Sequence, residues 1–232
     1  MTSAMSSCNP SRSTESSGIC SEEFAMNLKD VDPDNGYFWA NLAHYQLENG
    51  DETAALQSYK RAVEAPKFDI GWGEQVYRLS KGIDDALAPA GSCSAEIAAS
   101  ASGAAAARMP PFEPFADSCR SRSKNPKWRD ACVDLGYKME TEALTLISKM
   151  IGIAMQRIVY ESQDEVDKLS ELAERRSALY AVISHQGDLY QCMWEDPAWV
   201  SRWLSYTRDY GEMEPMRLMS EQATQFGSCS RD

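Results

Sequence analysis

An all-α fold is predicted for this chain of 232 residues. Apolar side chains recur at three- and four-residue steps through both halves, strand-like alternation is nearly absent, and Gly or Pro with an acidic neighbour stands where several of the apolar runs stop. Short helical hairpins stacked into an α-solenoid or a compact helical bundle satisfy this pattern. The expectation is a helical content well above half, with no sheet beyond a stray hairpin at 180–184.

Residues 1–20 are rich in Ser, Thr, Pro and Asn and read as a flexible N-terminal segment. Phe24 and Leu28 then share one helix face, and Asp32-Pro33-Asp34-Asn35 ends that helix. The clearest pattern follows. Trp39 and Leu42 lie three apart on one helix, Ala55, Tyr59 and Ala62 form the stripe of the next, and Gly50-Asp51 between them supplies a left-handed stop and an N-cap. Small residues at 43, 55 and 62 let the two backbones approach, with Trp39 and Tyr59 expected to fill the space between them. Trp72, Val76 and Leu79 open a further helix, weakened by Gly71, Gly73 and Gly82. Together 21–83 form a predicted repeat region.

At 84–111 the composition turns to Ala, Ser, Gly and Pro, giving either an Ala-rich helix or a mobile connector between two halves. In 112–226 helices return. Leu135, Met139, Ala143, Leu146, Ile147, Met150, Ile151, Ala154, Met155 and Ile158 make a broad apolar face, with a turn expected at Glu140-Thr141-Glu142. Val166 to Ile183 continues the pattern until Gly187, which is expected to close the helix. Trp199, Trp203 and Tyr206 precede a turn at Tyr210-Gly211-Glu212 and a last helix from Met216. Residues 227–232 read as a tail.

The chain carries 23 basic and 35 acidic side chains, a formal charge of −12. That field opposes approach to nucleic acid and to anionic membrane, and no run approaches the length of a membrane span. A secretory leader is not evident in the first twenty residues, so the chain is expected either to remain cytoplasmic or to be a processed, exported form. Seven cysteines favour export, to the periplasm or beyond. Cys8 with Cys20 and Cys119 with Cys132 are similarly spaced, and Cys192 with Cys229 is a third candidate pair that leaves Cys93 single. Asn125-Pro126 bends the second pair's segment, bringing the two Cα atoms within disulfide reach. The competing reading is burial of free cysteines as small hydrophobes.

Chemistry-bearing motifs are sparse. His44 and His185 stand on separate predicted helices, no CxxC or Cys/His cluster offers a metal site, and phosphate-binding, serine-hydrolase and zincin motifs are missing. Glu161, Asp164, Glu165 and Asp167 read as a solvated helix start in place of a calcium loop. Trp194, Trp199 and Trp203 read as core, with an aromatic binding surface as the alternative. No catalytic residue, metal or cofactor is assigned.

The hairpin at 36–65, through Trp39, Leu42, Ala43, Gly50, Asp51, Ala55, Tyr59 and Ala62, resembles a tetratricopeptide repeat. The resemblance implies that Tyr37, Ala40, His44, Leu47 and Glu48 line a partner-binding groove. The Lys and Asn that clamp a peptide carboxylate in some such arrays would fall at Ala40 and His44, so that clamp is lacking. Asp32-Pro33-Asp34-Asn35, Arg129-Asp130-Ala131-Cys132, Ile151-Gly152-Ile153-Ala154 and Tyr210-Gly211-Glu212-Met213-Glu214 also resemble a loose group of uncharacterised exported bacterial proteins, largely gamma-proteobacterial. The expected function is a non-enzymatic interaction scaffold of the bacterial envelope, binding a basic or apolar peptide or protein. The alternatives are an enzyme-associated module and a disulfide-stabilised structural factor.

Overall fold

The computed structural model describes residues 31–87, 94–107, 109, 112–194 and 196–226. Among them are ten helices and no strand, so the chain is all-α. They are α1 (Gly36–Glu48), α2 (Glu52–Glu64), α3 (Trp72–Leu87), α4 (Ser94–Ala106), α5 (Glu113–Arg122), α6 (Pro126–Glu142), α7 (Leu146–Glu161), α8 (Val166–Trp194), α9 (Pro197–Tyr210) and α10 (Met213–Phe226). Two compact units emerge. The described parts of 31–70 and 112–176 form one, and those of 71–109 and 177–226 form the other. Each unit thus draws on residues from both sides of 84–111 in the sequence.

In the first unit, α1 and α2 pair as the predicted hairpin. Gly50 has φ +79°, which ends α1, and Asp51 accepts the Ala54 N–H at 2.9 Å to begin α2. Leu42, Ala43, Ala55, Tyr59 and Ala62 are buried between or behind the helices. Tyr59 meets Trp128 of α6 edge-on at 5.4 Å, which seats the hairpin on α6. Where α6 crosses α7, Gly136 and Gly152 face one another. A Cβ on Gly152 would lie 2.4 Å from the Gly136 carbonyl oxygen, so only glycine permits this approach. Asn125 caps α6 and Pro126 starts it. Cys119 of α5 is bonded to Cys132 of α6 across that turn, with a Cα separation of 5.8 Å and both residues fully buried.

The break between α6 and α7 falls at Ala143-Leu144-Thr145, later than the expected turn at Glu140-Thr141-Glu142. Those three residues stay helical because the stop is made downstream, by Thr145 capping α7 toward the Ser148 N–H. Lys149 reinforces the junction, its ammonium donating to the Glu140 and Thr141 carbonyls at 2.9 Å each.

In the second unit, the Ala-rich helix is the alternative that forms within 84–111. Ser94–Ala106 is a helix, and its Ile97, Ala98, Ala101 and Ala105 are buried as it packs on α3 and α9. A run of alanines has little bulk to bury, yet the same small size lets helix backbones come close. Gly73 makes a similar approach on α3, where a Cβ would sit 2.0 Å from the Thr207 carbonyl oxygen of α9. Trp199, Val200 and Trp203 are buried on α9, as the core reading required, and Gly211 at φ +79° ends that helix. The α8 helix runs through Gly187 to Trp194 and includes 180–184, so neither the expected stop nor the stray hairpin forms. One interior glycine costs about 1 kcal/mol against alanine, too little to end a long helix.

Candidate functional site

The predicted groove lies along α1, and its geometry begins at the cap. The side-chain oxygen of Asn35 accepts the Tyr37 N–H at 3.2 Å and the Asp69 N–H at 3.0 Å, while its nitrogen donates to the Asp69 carbonyl at 2.8 Å. Asn35 is itself buried. Gly36 N–H donates to the Lys67 carbonyl at 2.8 Å, Lys67 N–H to the Asp34 carbonyl at 3.2 Å, and the Lys67 ammonium pairs with Asp32 at 2.8 Å. The start of α1 is therefore pinned to the segment that follows α2. A Cβ at Gly36 would lie 2.4 Å from the Ala62 carbonyl oxygen, which explains the glycine.

This anchoring decides which α1 side chains are available. Tyr37 and Ala40, expected in the groove, are buried at 1% and 0% exposure. Tyr37 packs edge-on against Phe68 with centroids 6.1 Å apart, and burial pushes its hydroxyl pKa above the ordinary tyrosine value, with Asn41 acting the other way. His44 and Leu47 are half-buried and Glu48 is exposed. Accessibility thus belongs to the C-terminal half of the predicted line.

Trp39, expected as the plug between the helices, is only half-buried. Its indole N–H donates to the Pro33 carbonyl at 2.8 Å and the Arg61 guanidinium lies over its ring at 4.8 Å. Tyr37, Phe38 and Leu42 fill the interior in its place. The run Tyr37-Phe38-Trp39-Ala40 spans most of the helix circumference at 100° per residue, so its hydrophobicity does not reveal which aromatic points inward.

His44 Nε2 is 3.3 Å from Glu48 Oε1, one turn along α1. Burial holds the imidazole below its ordinary pKa, with the Glu48 carboxylate partly opposing. The other ring nitrogen, Nδ1, is buried without a hydrogen-bond partner among the described residues, so the group this pair offers to a ligand is the exposed Glu48 carboxylate, which attracts a cation. Ser58 of α2 donates to Gln46 Oε1 at 2.8 Å and ties the neighbouring α1 residue to the hairpin.

A second polar cluster escaped the sequence pattern because its members come from three helices. Gln156, 1% exposed, donates to Glu140 Oε2 at 2.7 Å and its side-chain oxygen accepts from Arg175 at 3.2 Å. Arg175 closes the triangle on Glu140 at 3.1 Å. Burial lowers the Lys149 pKa nearby, with Glu140 and Glu142 opposing. Gln156, Glu140 and the terminal nitrogens of Arg175 are bonded to one another, as in a structural network, while the buried Arg175 Nε has no hydrogen-bond partner among the described residues.

Other singled-out residues are dispersed. The acidic run after α7 is largely solvated, with Glu161 paired to Arg157 at 3.3 Å, and the described residues hold no group of three or more His, Cys, Asp or Glu able to take a metal ion. No described helix is long and apolar enough to cross a membrane. Cys8, Cys20, Cys93, Cys229, Phe24 and Leu28 lie outside the described residues, and the side chains of His185, Cys192 and Trp194 are outside the description too. No family model, no curated protein and no solved structure matches this chain.

Proposed function

We propose that the protein is a non-enzymatic interaction scaffold of the bacterial envelope, whose tetratricopeptide-like hairpin presents His44, Leu47 and Glu48 to a basic or apolar segment of a protein partner. The observation that carries this reading is the clamp between Asn35 and Asp69. It spans 34 residues, the length of one such repeat, and ties the start of one hairpin to the segment that would begin the next. A rigid hairpin with a partly open helix end is suited to holding a partner at low entropic cost. The buried Cys119–Cys132 bond supports an oxidising compartment.

The test is a pull-down from the source organism's envelope fraction with wild type and a His44→Ala/Leu47→Ala/Glu48→Ala variant. These side chains are half-buried or exposed, so stability should change by no more than about 1 kcal/mol while partner recovery falls. Equal recovery of the same partners by both proteins removes α1 as the binding surface.

A further inference from the structure

The segment closed by Cys119–Cys132 has a charge opposite to that of the molecule. It contains Arg120, Arg122, Lys124, Lys127 and Arg129 with Asp130 as its one acid, a net +4 that leaves −16 on the rest of a chain totalling −12. We propose that this turn, between α5 and α6, is a docking site for a short carboxylate-rich segment of a partner protein. It is independent of the α1 surface, which favours the opposite charge.

Three of the five cations have acidic neighbours. Arg120 pairs with Asp117, Arg122 reaches Glu52 at 3.1 Å, and Arg129 lies 3.9 Å from Asp130. Lys124 and Lys127 are exposed and make no ion pair among the described residues. Between them stand Asn125 and Pro126, the cap and first residue of α6, so the positive end of that helix dipole opens onto the same turn. Two uncompensated ammonium groups flanking a helix N-terminus form an anion-attracting surface that neither feature makes alone.

The turn is also held still. Cys119 and Cys132 are fully buried below it, and the Arg122 guanidinium lies over the Trp128 ring at 5.4 Å, with Trp128 buried edge-on against Tyr59. Binding there need not order a loop, which removes one of the larger costs of association.

The charges around the turn choose the occupant. Asp117 and Asp130 border it on its own helices, with Asp134 one turn further along α6. At physiological salt, fields fade over about 8 Å, so a segment a few residues long feels chiefly the turn. A net charge of −12 opposes a long polyanion such as nucleic acid, and two copies each carrying −12 repel one another.

The experiment measures fluorescence anisotropy of a fluorescein-labelled peptide of alternating Glu and Ser, ten residues long, with the full oxidised chain at low and physiological salt. Wild type should bind, and more tightly at low salt. Lys124→Gln/Lys127→Gln should weaken binding about fivefold, from two exposed ion pairs, with an unchanged melting temperature, whereas Lys124→Arg/Lys127→Arg should retain it. Failure of wild type to bind, equal binding by the Gln variant, or loss in the Arg variant overturns the proposal. So does a decathymidylate strand that binds as tightly as the peptide, because the site would then be a general polyanion site.

Discussion

Gly152→Ala should destabilise the protein although alanine is the better helix former. In an open helix interior the substitution gains about 1 kcal/mol. At the α6–α7 crossing, the new Cβ would lie 2.4 Å from the Gly136 carbonyl oxygen, 2.7 Å from the Glu140 nitrogen and 2.9 Å from Met139 Cβ. Two of those three atoms are backbone, so no side-chain rotation relieves the overlap. Ordinary van der Waals contact begins at 3.4 Å, and the helices must separate by about 1 Å to restore it. A gap of that size forfeits a quarter to a half of the dispersion energy at each contact it opens, here among the buried Leu135, Met139, Ile153 and Met155. Overpacking of this kind typically costs about 1 to 3 kcal/mol. With a backbone obstacle the upper end applies, leaving a net loss of about 2 kcal/mol after the helix-propensity gain. Urea unfolding should show this as a midpoint lowered by about 1 M. Gly82→Ala supplies the opposite sign, because that glycine is interior to α3 and a Cβ there has nothing within 4 Å; it should stabilise by about 0.5 to 1 kcal/mol. A Gly152→Ala protein as stable as wild type would refute the close crossing.

Opening the Cys119–Cys132 bond with reductant under partially unfolding conditions should remove roughly 3 kcal/mol, the chain-entropy value for a short loop, and non-reduced peptide mapping should recover the two cysteines linked. Should mapping find both thiols alkylatable in the native protein, the bond and its argument for export are lost together. Tyr59→Ala should cost about 3 to 5 kcal/mol because the ring is fully buried, whereas Trp39→Ala should cost only about 1 to 2 kcal/mol, from one hydrogen bond and a partly exposed ring. Denaturant titration of the two variants compares them directly, and the reverse order would return Trp39 to the core.

Local chemistry was legible in the chain alone. Gly50-Asp51, Asn125-Pro126 and Gly211 stop or start helices in isolation, through backbone freedom, capping and a missing N–H, and each does so in the fold. Cys119 and Cys132 were readable because a bend between them sufficed to bring them together. Tertiary structure decided what depends on partners distant in sequence. Trp39 and Tyr37 have similar apolar character, and it is the clamp from Asn35 to Asp69, with Phe68 waiting beside it, that turns Tyr37 inward and Ala40 with it. That rotation took two of the five predicted groove residues out of reach and left His44, Leu47 and Glu48. Likewise, Gly136 and Gly152 look like helix weaknesses until they are seen touching, and the alanines of α4 look like a linker until α3 and α9 close on them. A side chain's propensity acts on its own backbone and can be read from its neighbours, whereas packing depends on a surface that another part of the chain must supply.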